Sequence, residues 1–139
     1  MKKIIIINGV NLGELGNREP DWYGNSSFEE YLKKLRADFP ELEIDYFQSN
    51  SLDILVDKIL SSKNYDGIVL NPGAFTHTSI VLADAIKAIS VPVVEVHISN
   101  VAKREKLRRE SFISAAVIGT ITGFGLKSYR LALDFFSTH

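Results

Sequence analysis

The stretch I-I-I-I-N-G-V-N-L-G-E-L-G-N-R-E-P-D-W-Y-G, residues 4–24, decides the fold. It opens on four consecutive isoleucines, too short a run for a helix and without a polar alternate position. Such a segment reads as a β-strand, about residues 3–7, covered on both faces. The next seventeen residues, Asn8 to Gly24, are too polar and too glycine-rich for a core. They read as a long loop fed by a rigid strand, and binding and catalytic groups concentrate on loops of that kind.

Outward from there, apolar runs alternate with helical patterns. A helix is expected from Ser26 or Ser27, which can cap it, with Glu29 and Glu30 in its first turn and Pro40 beyond its end. Phe28, Tyr31, Leu32 and Leu35 recur at helical spacing. A second strand is expected at about residues 43–47, and a helix after Ser51 with Leu52, Leu55, Val56 and Ile59 on one face. Further strands are expected at residues 67–70, 93–97 and 116–122. Further helices are expected at residues 78–89, 101–109 and 126–136. The order is β-α repeated five times, which predicts an α/β fold: a flavodoxin-like three-layer sandwich with a five-stranded parallel sheet, order 2-1-3-4-5. G-F-G-L-K-S, residues 123–128, resembles half a dinucleotide fingerprint, but it comes too late for a following βαβ unit and reads as a strand-to-helix turn.

Composition narrows the class. With 139 residues, 45% hydrophobic and 24% charged, the expectation is a single domain, residues 1–139, with one sizeable core. A net charge of -1 offers no basic field for nucleic acid. No apolar run approaches the roughly 18 residues of a membrane span. The first residues carry no signal-peptide pattern, so the expected address is cytoplasmic. The chain has no Cys, which excludes disulfides and thiol catalysis, and its three separated His have no metal-ligand spacing. No metal site is expected.

In open parallel sheets, ligands bind beyond the carboxyl ends of the strands. Strand 1 ends in Asn8 and runs into Asn11. Strand 3 ends in Asn71-Pro72-Gly73, and strand 4 in E-V-H-I-S-N, residues 95–100. Amide, imidazole, carboxylate and hydroxyl groups therefore meet at one edge. Glu95 and His97 are two apart on a strand and share a face. A carboxylate beside a histidine holds its tautomer and stabilises its charged form, as general acid catalysis requires. The pattern also fits a satisfied buried pair; its place at a strand end favours function.

His77, at the start of the third helix, is a candidate ligand contact, whereas Thr76, Thr78 and Ser79 read as caps. Arg18 and Tyr23 share the first loop. A free tyrosine titrates at about 10, and lowering that by two units needs about 2.7 kcal/mol of differential interaction, within reach of a close guanidinium. On pattern alone, Arg and Tyr on a loop are ordinary surface residues, and Arg104 with Arg108, one turn apart, belong to a solvated face.

The blocks N-G-V-N-L-G-E-L-G-N-R-E-P-D-W-Y-G, F-Q-S-N, L-N-P-G-A-F-T-H-T-S, P-V-V-E-V-H-I-S-N and Y-R-L-A-L closely resemble the signatures of type II 3-dehydroquinate dehydratases, along nearly the whole chain. The resemblance implies a hydro-lyase of the shikimate pathway, in aromatic amino-acid biosynthesis or in quinate breakdown. It would convert 3-dehydroquinate to 3-dehydroshikimate without metal or organic cofactor. It implies Tyr23 as base activated by Arg18, and Asn11 holding a water that stabilises the enolate. His97 would be the general acid, oriented by Glu95. It further implies Asn71, His77 and Arg108 on substrate hydroxyls, and Ile98 and Ser99 at the substrate carboxylate. Arg104 would be a lid arginine, Gly73 a point of close backbone approach, and Asp84 a residue contributed across a subunit boundary. That last match implies a homo-oligomer, a dodecamer of four trimers, and the third helix is apolar almost all round.

This chain departs from the family pattern at Val10 for Pro, at Gly13-Glu14 for Asn-Leu, and at Ser51 to Ile54 where H-E-G-E is frequent. Ala102-Lys103 stands for His-Ala, and Leu107 for Phe. No implied catalytic residue is lost. Two other readings exist: a non-catalytic flavodoxin-like binding or receiver module, and a relative acting on another cyclic hydroxy-ketone acid. A receiver wants acidic residues where strand 1 ends in Asn8. A flavin module wants hydroxyls, and residues 8–16 hold no Ser or Thr. A Schiff-base dehydratase needs a barrel larger than this chain can build.

Overall fold

A computed structural model describes residues 1–9, 28–103, 106 and 110–139. Five strands, β1 (Lys2–Asn8), β2 (Leu42–Gln48), β3 (Gly67–Asn71), β4 (Val93–His97) and β5 (Gly119–Thr122), form one parallel sheet. Its order is β2-β1-β3-β4-β5, as the sequence predicts.

The isoleucine run shows why the sheet is covered twice. Successive side chains leave a strand on opposite faces. Ile4 and Ile6 enter one core with α1 (Phe28–Asp38) and α4 (Lys127–Thr138), beside Leu32, Leu35, Ala132, Leu133 and Phe136. Ile5 and Ile7 enter the other, with Leu55 and Ile59 of α2 (Leu52–Leu60) and Leu82 and Ile86 of α3 (Ile80–Lys87). All four isoleucines are fully buried, and truncating any one to Ala costs about 2–5 kcal/mol.

The helix boundaries reflect their caps. Ser51 caps α2 by accepting from the Ile54 N–H, and Ser79 caps α3 by accepting from Leu82 at 2.9 Å. The third helix therefore starts at Ile80 rather than at residue 78, because residues Gly73–His77 already form a 3-10 turn. Strand β5 is shorter than expected. Ala116 closes a turn onto the Ile113 carbonyl, and the ladder begins with Ile118 donating to Val93. Within the charged stretch 101–109, the structure describes a 3-10 turn at Val101–Lys103 and a helical Lys106. Ser26 and Ser27 lie outside the described residues. Gly123 and Gly125, at φ of 94° and 62°, turn the chain from β5 into α4, where the G-F-G stretch was expected to do so. No helix among the described residues is long and apolar enough to cross a membrane.

Candidate active site

Strands β1, β3 and β4 bring their polar ends to one edge, in register: Asn8 lies opposite Asn71, and Leu70 opposite Glu95. Parity then sorts the side chains. Asn8 and Asn71 share the face of Ile6 and Val69, toward α1 and α4. Glu95 and His97 share the face of Val93, toward α2 and α3.

On that second face, Glu95 is 1% exposed and His97 8%. His97 Nε2 is hydrogen-bonded to Glu95 Oε2. With Glu95 ionised, the proton on that side of the ring sits on Nε2, leaving Nδ1 as the nitrogen not engaged by Glu95. A buried carboxylate needs partners for both oxygens. The second, Oε1, accepts from the Ser114 hydroxyl at 3.0 Å. Ser114 is held in turn by Ser111, whose Oγ accepts from the Ile113 and Ser114 backbone N–H groups. The strand end itself is pinned, because the His97 carbonyl accepts from the Gly123 N–H at 3.1 Å and from Ser128 Oγ at 3.2 Å.

On the first face the groups are amides and phenols. The Gly73 N–H donates to Asn71 Oδ1 at 3.2 Å, and Asn71 Nδ2 donates to the Tyr129 hydroxyl at 2.9 Å. Tyr129 donates to Asn8 Oδ1 at 2.7 Å, and Asn8 Nδ2 to the Tyr46 hydroxyl at 3.3 Å. Burial pushes the Tyr46 phenol above its ordinary value, the Asn8 hydrogen bond opposes this, and the Glu29 charge adds to the rise. The main chains also interlock. The Gly9 N–H donates to the Asn71 carbonyl at 2.7 Å, and a Cβ on Gly9 would lie 2.4 Å from the Pro72 carbonyl oxygen. Only glycine fits there, just past the end of β1.

His77 is half-buried on the 3-10 turn after β3. Its Nδ1–H donates to the Glu110 carbonyl at 2.5 Å, and the Thr76 carbonyl accepts from the Phe112 N–H at 2.9 Å. The segment 110–114 thus ties His77 to Ser114 and so to Glu95. Ile98 is buried, and its carbonyl accepts from the Gly125 N–H at 2.9 Å. Ser99 is half-buried and Asp84 exposed on α3.

The structure therefore brings Glu95 and His97 together directly. It sets Asn71 at the end of the next strand with Gly73 just beyond, and links His77 through one segment. Asn11, Arg18, Tyr23, Arg104 and Arg108 lie outside the described residues. Two neighbours of the site were not read from sequence. Tyr129 had a signal: it falls on the apolar stripe of Ala132, Leu133 and Phe136, where a buried phenol must find a partner. Ser114 had none, since nothing local distinguishes it from other serines.

A carboxylate, an imidazole and fixed amides at the carboxyl edge of an open parallel sheet are groups with which an α/β enzyme can carry out proton transfer. A family model described as dehydroquinase class II matches residues 2–137. A 3-dehydroquinate dehydratase of Clostridium botulinum is 47% identical over 138 residues, covering 97% of this chain and 94% of that protein. The crystal structure of the type II dehydroquinase from Propionibacterium acnes superposes with a TM-score of 0.94 at 39% identity, covering 100% of this chain and 98% of that one. That of Butyrivibrio crossotus gives 0.91 at 40% identity, covering 96% of each chain. The chain belongs to the type II dehydroquinase family.

Proposed function

We propose that this chain is a 3-dehydroquinate dehydratase, a hydro-lyase acting in a single catalytic domain. The observation that carries the reading is the buried Glu95–His97 pair at the sheet's carboxyl edge, beside the fixed amide of Asn71. The C3 ketone of 3-dehydroquinate acidifies the C2 proton. Tyr23, helped by Arg18, removes it; Asn11 and its water steady the enolate oxygen. His97 then gives a proton to the C1 hydroxyl, which leaves as water as the C1–C2 double bond forms. Tyr23 ends protonated and His97 one proton short, so solvent exchange resets both. Glu95 holds the ring and balances its charge before transfer. Asn71, His77 and Arg108 contact substrate hydroxyls. Ile98 and Ser99 receive its carboxylate, and Arg104 closes near the base. Gly73 lets the backbone approach.

The assembly we propose is a dodecamer of four trimers, with Asp84 lent across a subunit boundary. Adjacent Ile80 and Val81 on α3 are 60% and 57% exposed in the single chain, an apolar face that a second copy would cover. The proposed location is cytoplasmic, and the proposed pathway place is the shikimate route, with quinate breakdown as the alternative. An ultraviolet assay for the conjugated enone, run with chelator on wild type and Tyr23→Phe, tests the reaction. Product from wild type and near-complete loss in the variant is the expected result. No product from folded, assembled wild type sinks the reading.

A further inference from the structure

We infer that Tyr129 is a positioning residue that holds the Asn71 amide toward the substrate in the polarity the Gly73 N–H dictates; this rests on the dehydratase reading. The polarity originates at a group with no choice. The Gly73 backbone N–H can only donate, so the atom of Asn71 facing it must be Oδ1. The amide nitrogen therefore faces Tyr129, whose hydroxyl must accept from it. A phenol has one hydrogen, and it goes to Asn8 Oδ1. Asn8 Nδ2 is then turned to Tyr46. One backbone N–H thus fixes the direction of four successive hydrogen bonds.

The consequence falls on the substrate side. Asn71 Nδ2 has two hydrogens and gives one to Tyr129, so the amide offers its second N–H to a ligand. It presents a donor, and the matching group is a hydroxyl oxygen acting as acceptor. Tyr129 is fully buried, and its ring stands edge-on to Phe28 with centroids 5.0 Å apart. The hydroxyl is therefore delivered by a ring that packing already immobilises.

The test is a double-mutant cycle on the intact enzyme, with kcat and KM for 3-dehydroquinate measured separately and thermal stability alongside. Tyr129→Phe keeps the ring and removes the hydroxyl. It should raise KM about ten-fold while kcat stays within about three-fold. In an Asn71→Ala background the same change should alter kcat/KM by less than about two-fold, since the partner it acts through is gone. Asn8→Ala, which removes the acceptor for the Tyr129 hydrogen, should raise KM in the same way and serves if Tyr129→Phe folds poorly. An unchanged KM in Tyr129→Phe, or an effect that persists undiminished without Asn71, overturns the inference and leaves the dehydratase intact. A merely structural Tyr129 would lower the melting temperature without that KM-selective, Asn71-dependent loss. Folded wild type inactive on 3-dehydroquinate would remove the dehydratase reading, and the inference with it.

Discussion

The two faces of the sheet supply different chemistry to one edge. Toward α1 and α4, Asn8 and Asn71 stand in a chain of neutral hydrogen bonds with Tyr129 and Tyr46. Toward α2 and α3, Glu95 and His97 form a titratable pair anchored by Ser114. Neutral amides whose orientation is fixed by their partners hold their shape and suit recognition. A carboxylate–imidazole pair can change its proton count without moving, and so suits transfer. Alternation along a strand keeps the two devices on opposite sides while their strand ends stay neighbours.

The largest effect should come from the proton-moving side. His97→Ala should cut kcat by about 10²–10⁴-fold, typical of a lost general acid, with little change in KM. A KM effect at unchanged kcat would break the division between the faces. Glu95→Gln keeps shape but removes the charge behind the ring; kcat should fall about 10–100-fold, the worth of a charged hydrogen bond. Ser114→Ala frees one oxygen of Glu95 and should lower kcat about three- to ten-fold. Steady-state kinetics giving a pure KM change there would move Ser114 to the recognition side.

Smaller effects lie in stability. The Thr76 hydroxyl is buried and has no partner among the described residues, although Thr76 sits on the turn beside His77. Thr76→Val should raise stability by about 1 kcal/mol in denaturant unfolding; a loss would mean the hydroxyl is satisfied by a ligand or a neighbour. Tyr65 is pushed up to about 12 by burial, by its hydrogen bond to Asp45, and by the charges of Asp45 and Glu43. Its proton is held more tightly in the folded chain than in the unfolded one. Its contribution is therefore fully present below about pH 10 and is lost as pH rises toward about 12. Tyr65→Phe should flatten that alkaline decline in stability, measured by unfolding at a series of pH values. It should leave the kcat profile near neutrality unchanged, separating fold titration from site titration.

Much of this arrangement was legible in the chain itself. Ile4 to Ile7 had no polar alternate, which implied two-sided burial and a parallel sheet, and parity placed Glu95 beside His97. The edge of the sheet was legible because Asn8, Asn71 and His97 each end a strand. Less visible were contacts made at long range. Ser114 reaches Glu95 across 19 positions, and Tyr129 reaches Asn8 across 121. Ser114 leaves no periodic trace, and the apolar stripe that marks Tyr129 as buried does not name its partner. The third helix began two residues later than the pattern predicted, because Ser79 captured the cap and the preceding turn closed as a 3-10 helix.

Ser128 and Tyr129 are consecutive on α4. One holds the backbone of His97 and the other the amides of Asn8 and Asn71. The helix therefore acts as a gauge bar between the proposed acid and the proposed binding group: its tilt or slide shifts both at once. A change that displaces the bar would degrade affinity and turnover together, as one mechanical fault rather than two chemical ones.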